Sequence, residues 1–350
     1  MSDSRTERFP EQFRDRDIFE DMEGRLFVTL GYIQPRDRVL SYLKYVPDEQ
    51  GRWVRAGSRY RRIFWGGVDS VVNGTPLLPS SYTVDDDHFQ TSLVEPPHHV
   101  IKKYYQPEKR LVEILEDPKD QLEEVTKTAA EVLHDEFEIP IDSLGVAGSI
   151  LWKGHSTTYS DINMNVYSYQ HSWRLQRNYD QLDEVQSVNR LRAQTDWNHA
   201  IERVQQRIPT LPFEDLQRIF TRRRALCIDS RSIGITPVLL PHEAPITHGS
   251  ESYLTRSSEP IVLTMTIEND DYGIFHPALY DTKPVESAGE TVQRILVYDG
   301  AFGGLFQSGD RVEVSGMLQR VTQEKTSRSI GQIMVGTKAG SGKEYIRLVN

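Results

Sequence analysis

Eleven residues separate the pair Gly148-Ser149 from the run Asp161-Ile162-Asn163-Met164. The pair reads as a turn. Gly148 lets backbone come close to a bound group, and Ser149 adds a hydroxyl and an amide N–H, the oriented donors that an anion such as a triphosphate needs. The run alternates polar and apolar residues, as a strand with two unlike faces does. Ile162, Met164 and Val166 would point into a core, and Asp161, Asn163 and Asn165 would share the opposite face. Magnesium takes oxygen ligands, preferably anionic, at close range. Two-metal phosphoryl or nucleotidyl transfer usually adds a third carboxylate from a neighbouring strand. Here Asn163 offers a neutral carbonyl where a carboxylate would grip the metal more strongly.

Other residues carry weaker signals. Arg222-Arg223-Arg224, with Arg218, reads either as a phosphate-facing surface or as a solvated helix end whose cations complement the dipole. Lys153, shortly after the turn, is a candidate phosphate contact. Lys102-Lys103-Tyr104-Tyr105 mixes bases with aromatics as stacking surfaces do, but an amphipathic strand explains it as well. His98, His99 and His155 have no acidic or cysteine neighbours at metal spacing and read as structural or surface residues. Cys227, among Ala225, Leu226 and Ile228, reads as a small buried hydrophobe. Gly340-Ser341-Gly342-Lys343 resembles a phosphate loop only superficially, because Thr337 and Glu344 stand where that pattern needs glycine and Ser or Thr.

Three stretches must position these groups. Residues 1–115 read as β-rich, with strands expected over 26–32 and 39–46 and a turn at 35–37 between them. Residues 116–245 alternate helix and strand. Asp117-Pro118 reads as a helix start, and Leu122, Val125, Ala129, Leu133 and Phe137 recur at helical spacing until Pro140. Strands are expected over 161–167 and 232–239, with helices over 173–192, 197–206 and 213–224. In 256–350, strand-like runs at 261–267, 292–298, 311–316 and 332–336 are separated by Gly, Asp and Asn turns, which suggests a small barrel.

The 350 residues allow two or three domains. Lys plus Arg number 41 against 51 Asp plus Glu, a formal charge of -10. That balance opposes indiscriminate binding to nucleic-acid backbones, yet permits a local basic groove. The apolar runs are too short to span a bilayer, and residues 1–17 lack the apolar stretch of an export signal. The single cysteine excludes an internal disulfide framework. A cytoplasmic protein is therefore expected.

The Gly148-Ser149…Asp161-Ile162-Asn163 core resembles the polymerase-β-like nucleotidyltransferase superfamily. Its signature is a hydrophobic-Gly-Ser turn, about ten residues, then Asp-hydrophobic-Asp-hydrophobic. The wider chain looks like a mostly archaeal family of predicted nucleotidyltransferases. Collinear matches include 21–28, 43–47, 207–211, Arg222-Arg223-Arg224, Pro277-Ala278-Leu279-Tyr280 and 344–346. The resemblance implies an α+β fold, with a central palm-like domain over 116–245, a β-rich domain over 1–115 and an OB-like barrel over 256–350. It implies that Gly148 and Ser149 contact a triphosphate and that Asp161 is the first metal carboxylate. The second carboxylate is replaced by Asn163. Thr236 falls at the third position, and Asp229 is the only nearby acid.

Magnesium, held weakly through Asp161 and Asn163, and a nucleoside triphosphate are the expected ligands, with RNA a candidate partner. The leading expectation is a degenerate site that binds nucleotide or RNA through Gly148, Ser149, Lys153 and Arg222, Arg223 and Arg224, with little or no catalysis. A second reading is an active magnesium-dependent enzyme that moves a nucleotide to RNA, DNA or protein through Asp161, Asn163 and Asp229. A third is an assembly factor that uses the fold as a protein-binding platform.

Overall fold

The computed structural model describes residues 9–184, 190–191, 197–229 and 231–349. The N-terminal strands are β1 (Ile18–Asp21), β2 (Leu26–Thr29), β3 (Ser41–Pro47), β4 (Trp53–Arg55) and β5 (Ser58–Arg62). Helix α1 (Gly67–Gly74) follows, then the separate hairpin of β6 (Thr83–Asp86) and β7 (Thr91–Val94), then β8 (Ile101–Tyr105). Six of these strands make an antiparallel sheet in the order β4-β5-β3-β2-β1-β8.

Helix α2 (Pro107–Glu116) comes next, its proline in the first turn where a missing N–H is harmless. It lies in a stretch expected to be β-rich. Only Leu111 and Ile114 form its fully buried apolar stripe, among many charges, so its period is hard to see. Helix α3 (Gln121–Phe137) begins later than Asp117-Pro118 suggests. Its cap is Asp120, whose carboxylate accepts from the N–H of Leu122 at 2.8 Å and of Glu123 at 3.1 Å.

The central sheet comprises β9 (Leu144–Val146), β10 (Ile162–Tyr167), β11 (Arg190–Leu191), β12 (Leu226–Ile228) and β13 (Arg231–Val238), in the order β11-β12-β13-β10-β9. Helices α4 (Gly148–Leu151), α5 (Tyr169–Asn178), α6 (Asn198–Arg207) and α7 (Phe213–Phe220) connect it. The long helix expected over 173–192 gives way to a 3-10 turn at Tyr179–Glu184 and then to β11. Positions 185–189 and 192 of that expected helix lie outside the described residues.

The C-terminal strands are β14 (Glu251–Thr255), β15 (Ile261–Tyr272), β16 (Ala278–Ser287), β17 (Glu290–Val297), β18 (Arg311–Gln323), β19 (Ser329–Val335) and β20 (Tyr345–Leu348). The first half of the long β18 pairs with β15 and its second half with β19. Since β15-β16-β17-β19 is itself a continuous path, with β17 parallel to β19, the hydrogen bonding returns to its start. Val292, Ile295, Val314 and Ile333 fill the interior.

Each large sheet draws its strands from one contiguous stretch, but the cores cross between stretches. Ile201, Leu216 and Ile219 of α6 and α7 pack into the core of the C-terminal sheet. Trp152, fully buried, sits between Tyr45 and Tyr60 of the N-terminal sheet, with ring centroids 5.1 and 5.0 Å away. Ile33, Leu40 and Phe89 share a third core with Tyr253 and Phe275. The protein is thus a mixed α+β fold of several sheets with interlocked cores.

Candidate functional site

The β9–β10 ladder determines where the turn meets the strand. Val146 lies opposite Met164, and Ala147 N–H donates to the Asn163 carbonyl at 2.9 Å. Gly148 therefore arrives beside Asn163 with φ +62, a left-handed conformation that favours glycine. A Cβ at 148 would lie 3.3 Å from Asn163 Nδ2. On the other side, β13 runs parallel to β10 with Gly234 opposite Asn163, and a Cβ at 234 would lie 3.0 Å from Asn163 Oδ1. The Asn163 amide is thus flanked by two glycines, one from the turn and one from the neighbouring strand.

The strand face opens progressively toward its start. Asp161 is exposed and Asn163 is half-buried. Asn165 is fully buried and donates through Nδ2 to the Tyr167 hydroxyl at 3.1 Å, with Oδ1 left unpartnered. The Arg14 guanidinium covers the Tyr167 ring at 4.0 Å. Asn165 is accordingly not available as a ligand. On β13 the residues facing this row are Ser232, Gly234 and Thr236, all uncharged, so among the described residues Asp161 is the single carboxylate on this part of the sheet face. Asp229 sits exposed, at φ +46, in the β12–β13 hairpin turn, where Ile228 pairs with Arg231.

Asp161 opens into a cavity of about 1260 Å³ between the three sheets. Arg16, Arg62, Arg203, Arg207, Arg223 and Lys338 are among its lining residues. Such a concentration of cations stands out in a chain with a formal charge of -10. Arg207 grips Asp299 bidentately at 2.6 and 3.1 Å. Half-buried Lys44 lies in the field of the same groups. Burial first, then Arg62 and Arg16, push its pKa down to about 7, against the opposing pull of Asp161.

The other expected contacts separate. Of the arginine run, Arg223 alone lines the cavity, donating to the carbonyls of Gly300 at 2.9 Å and Ala301 at 2.5 Å. Arg222 pairs with Asp310 and donates to the Leu305 carbonyl at 3.1 Å, which joins α7 to the C-terminal sheet. Arg224 pairs with Asp180 at 3.2 Å. The run therefore does not form one phosphate-facing patch, because α7 ends at Phe220 and the three side chains diverge around a turn. Lys153 turns to the opposite side of the 148–161 segment and pairs with Glu113 at 2.9 Å. Cys227 is half-buried rather than core.

His155 belongs to a cluster that the linear sequence hides. Its Nε2 lies 2.9 Å from Asp120 Oδ2 and 3.7 Å from Glu123 Oε1. Ligand atoms of Asp120, Glu123 and His155 all lie within 4.8 Å of one another, a spacing that could hold a metal ion. Glu123 is already paired with Arg110, however, and accepts from the Lys119 N–H at 2.9 Å. Burial raises the Asp120 pKa, but the His155 hydrogen bond and the helix N–H groups outweigh it and hold the carboxyl below its ordinary value. The separation of 35 residues between Asp120 and His155 is why spacing alone could not find this contact.

No known family model matches the chain, and no solved structure matches it. One similar protein is an uncharacterized protein of Methanocaldococcus jannaschii, MJ1086, 24% identical over 349 residues that cover 96% of this chain and 98% of that protein.

Proposed function

We propose that this protein is a nucleotidyltransferase-fold protein whose palm-like sheet binds a nucleoside triphosphate and transfers its nucleoside monophosphate, with release of pyrophosphate, weakly or not at all. The observation that carries the reading is the Asn163 amide between Gly148 and Gly234, with Asp161 next along the strand at the edge of a cationic cavity. Glycines on both sides make room for the Asn163 amide at the turn, and the arginines of the adjoining cavity complement the charge of a phosphate. Asp161 supplies one negative charge where this chemistry would use about three. The metal's hold on attacking and leaving oxygens is the main catalytic term in such reactions. Its weakening costs several kcal/mol of transition-state stabilisation, each ~1.4 kcal/mol being tenfold in rate.

The ring path β15-β16-β17-β19-β18, with β17 and β19 parallel, supports the reading of the C-terminal part as an OB-like barrel. Among the described residues no helix is long and apolar enough to cross a membrane, and a cytoplasmic setting accompanies this reading.

Calorimetry with magnesium and each of the four ribonucleoside triphosphates tests the proposal. Binding by the wild type and its loss in Gly148→Val are expected. Failure of all four to bind would overturn the reading. Labelled triphosphate incubated with total RNA should give no incorporation, and Asn163→Asp should give a gain. Incorporation by the wild type that disappears in Asp161→Ala would establish the active enzyme instead.

A further inference from the structure

One wall of the cavity is built differently from a pocket for a single nucleotide. The Arg62 guanidinium lies 4.6 Å from the centroid of Trp65. Trp65 meets Trp53 edge-on at 6.1 Å, and Trp53 meets Tyr159 edge-on at 5.7 Å. The Arg52 guanidinium lies 4.6 Å from the centroid of Tyr159. The order Arg62, Trp65, Trp53, Tyr159, Arg52 is therefore a continuous strip of three rings with a cation at each end, and all five residues line the same cavity as Asp161. Tyr159 stands two residues before Asp161, and its hydroxyl donates to the Arg52 carbonyl, which fastens the loop carrying Asp161 to β4.

Two rings of the strip are open to solvent. Trp65 is 64% exposed and Tyr159 37% exposed, while Trp53 is buried beneath them. Exposed tryptophan beside a guanidinium group is poorly explained by core packing, since burying it would gain a few kcal/mol that this arrangement forgoes. We infer that the strip is a platform on which bases of a single-stranded nucleic acid stack, with Arg52 and Arg62 on its phosphates and its end directed toward Asp161; this rests on the nucleotide reading of the site.

The chemistry selects this occupant. Aromatic faces accept any base, and arginines beside them neutralise the chain of phosphates. The cavity volume of about 1260 Å³ exceeds the 300–1,000 Å³ typical of one small ligand, which leaves space for an acceptor strand beside a triphosphate. A duplex keeps its bases stacked inside and offers the rings nothing. It would also bring its dense charge against a surface of net charge -10.

The test is fluorescence anisotropy of end-labelled 12-nucleotide oligo(U) and oligo(dT), and of a duplex of the same length, against the full chain. Triphosphate affinity is measured in parallel by calorimetry. Binding of single strands and not of the duplex is expected, and the relative affinity of the two single strands identifies RNA or DNA as the preferred source. Trp65→Ala and Tyr159→Ala should each weaken binding about tenfold or more, Trp65→Phe should retain most of it, and Trp65→Ala should keep the wild-type triphosphate affinity. Trp65 is exposed, so its variants fold, which unchanged circular dichroism checks. Equal binding of duplex, unchanged affinity in Trp65→Ala, or no single-strand binding would overturn the platform. If triphosphate binding survives in that case, the nucleotide reading stands and the platform alone falls. If the wild type binds neither ligand, both fall.

Discussion

Two polar neighbourhoods flank the segment 148–161. On one side, the face of β10 presents Asp161 to an open cationic cavity, with Asn163 behind it. On the other, Asp120, Glu123 and His155 gather in a second cavity of about 490 Å³ between α2, α3 and the loop after α4. The second place is richer in carboxylates, yet its acids are engaged. Asp120 caps α3 and holds His155, and Glu123 pairs with Arg110. The first is poor in charge but open. Carboxylate number is therefore a weak guide to function, and what matters is whether the lone pairs are already committed to the fold.

The largest expected effect breaks the engaged side. Glu123 and Arg110 are 2% and 7% exposed. Glu123→Ala leaves Arg110 only the partly exposed Glu113, at 3.2 Å, as its carboxylate partner, and unfolding by urea should show a loss of about 3 kcal/mol. In Arg110→Ala the Glu123 carboxylate loses its guanidinium partner, while Asp120 keeps His155. Manganese or zinc should then raise the melting temperature of that variant while leaving the wild type unchanged. Equal shifts for both proteins would mean that the cluster is open after all.

On the open side, Asn163→Asp restores the missing charge in the same shape. Magnesium affinity in the presence of triphosphate should rise about tenfold or more, ~1.4 kcal/mol, in calorimetric titration. An unchanged affinity would mean that Asn163 does not face the metal.

Asp120→Ala removes a helix cap and should cost ~1 kcal/mol. Because the folded state holds the Asp120 carboxyl below its ordinary value, its contribution is present above that value and disappears as pH falls through the folded-state value. The difference in stability between wild type and Asp120→Ala should accordingly shrink in acid.

The smallest effect concerns Lys44. With its pKa pushed down to about 7, it is mostly neutral in mildly alkaline solution. A triphosphate in the cavity adds negative charge and pulls that pKa up. Binding should take up a fraction of a proton at pH 8, seen as buffer-dependent calorimetric heats, and affinity should fall as pH rises through 7. Lys44→Met should abolish the proton uptake.

Several elements were legible from pattern alone. The alternation at 161–167 places β10, the helical recurrence of Leu122 through Phe137 places α3, and the apolar runs at 261–267 and 311–316 mark β15 and β18. Helix α2 and strand β16 were not, the first because charges crowd its narrow apolar stripe. The second, Ala278–Ser287, has its buried residues concentrated at its start, so its period of two is short. Within the site, the glycine at 148 and the acid at 161 were visible as residue types. Gly234, Trp65 and Tyr159 were not, since their meaning depends on neighbours from other elements.

Local sequence determined which stretches became strand or helix and how few acids the β10 face could hold, because backbone preference and side-chain alternation act over a few residues. Tertiary packing decided that Asn163 would stand between Gly148 and Gly234, that Lys153 would turn to Glu113, that the three arginines would part, and that His155 would find Asp120. Those outcomes follow from sheet register and from cores shared between distant segments. Contacts between residues dozens of positions apart leave no period in the chain from which they could be read.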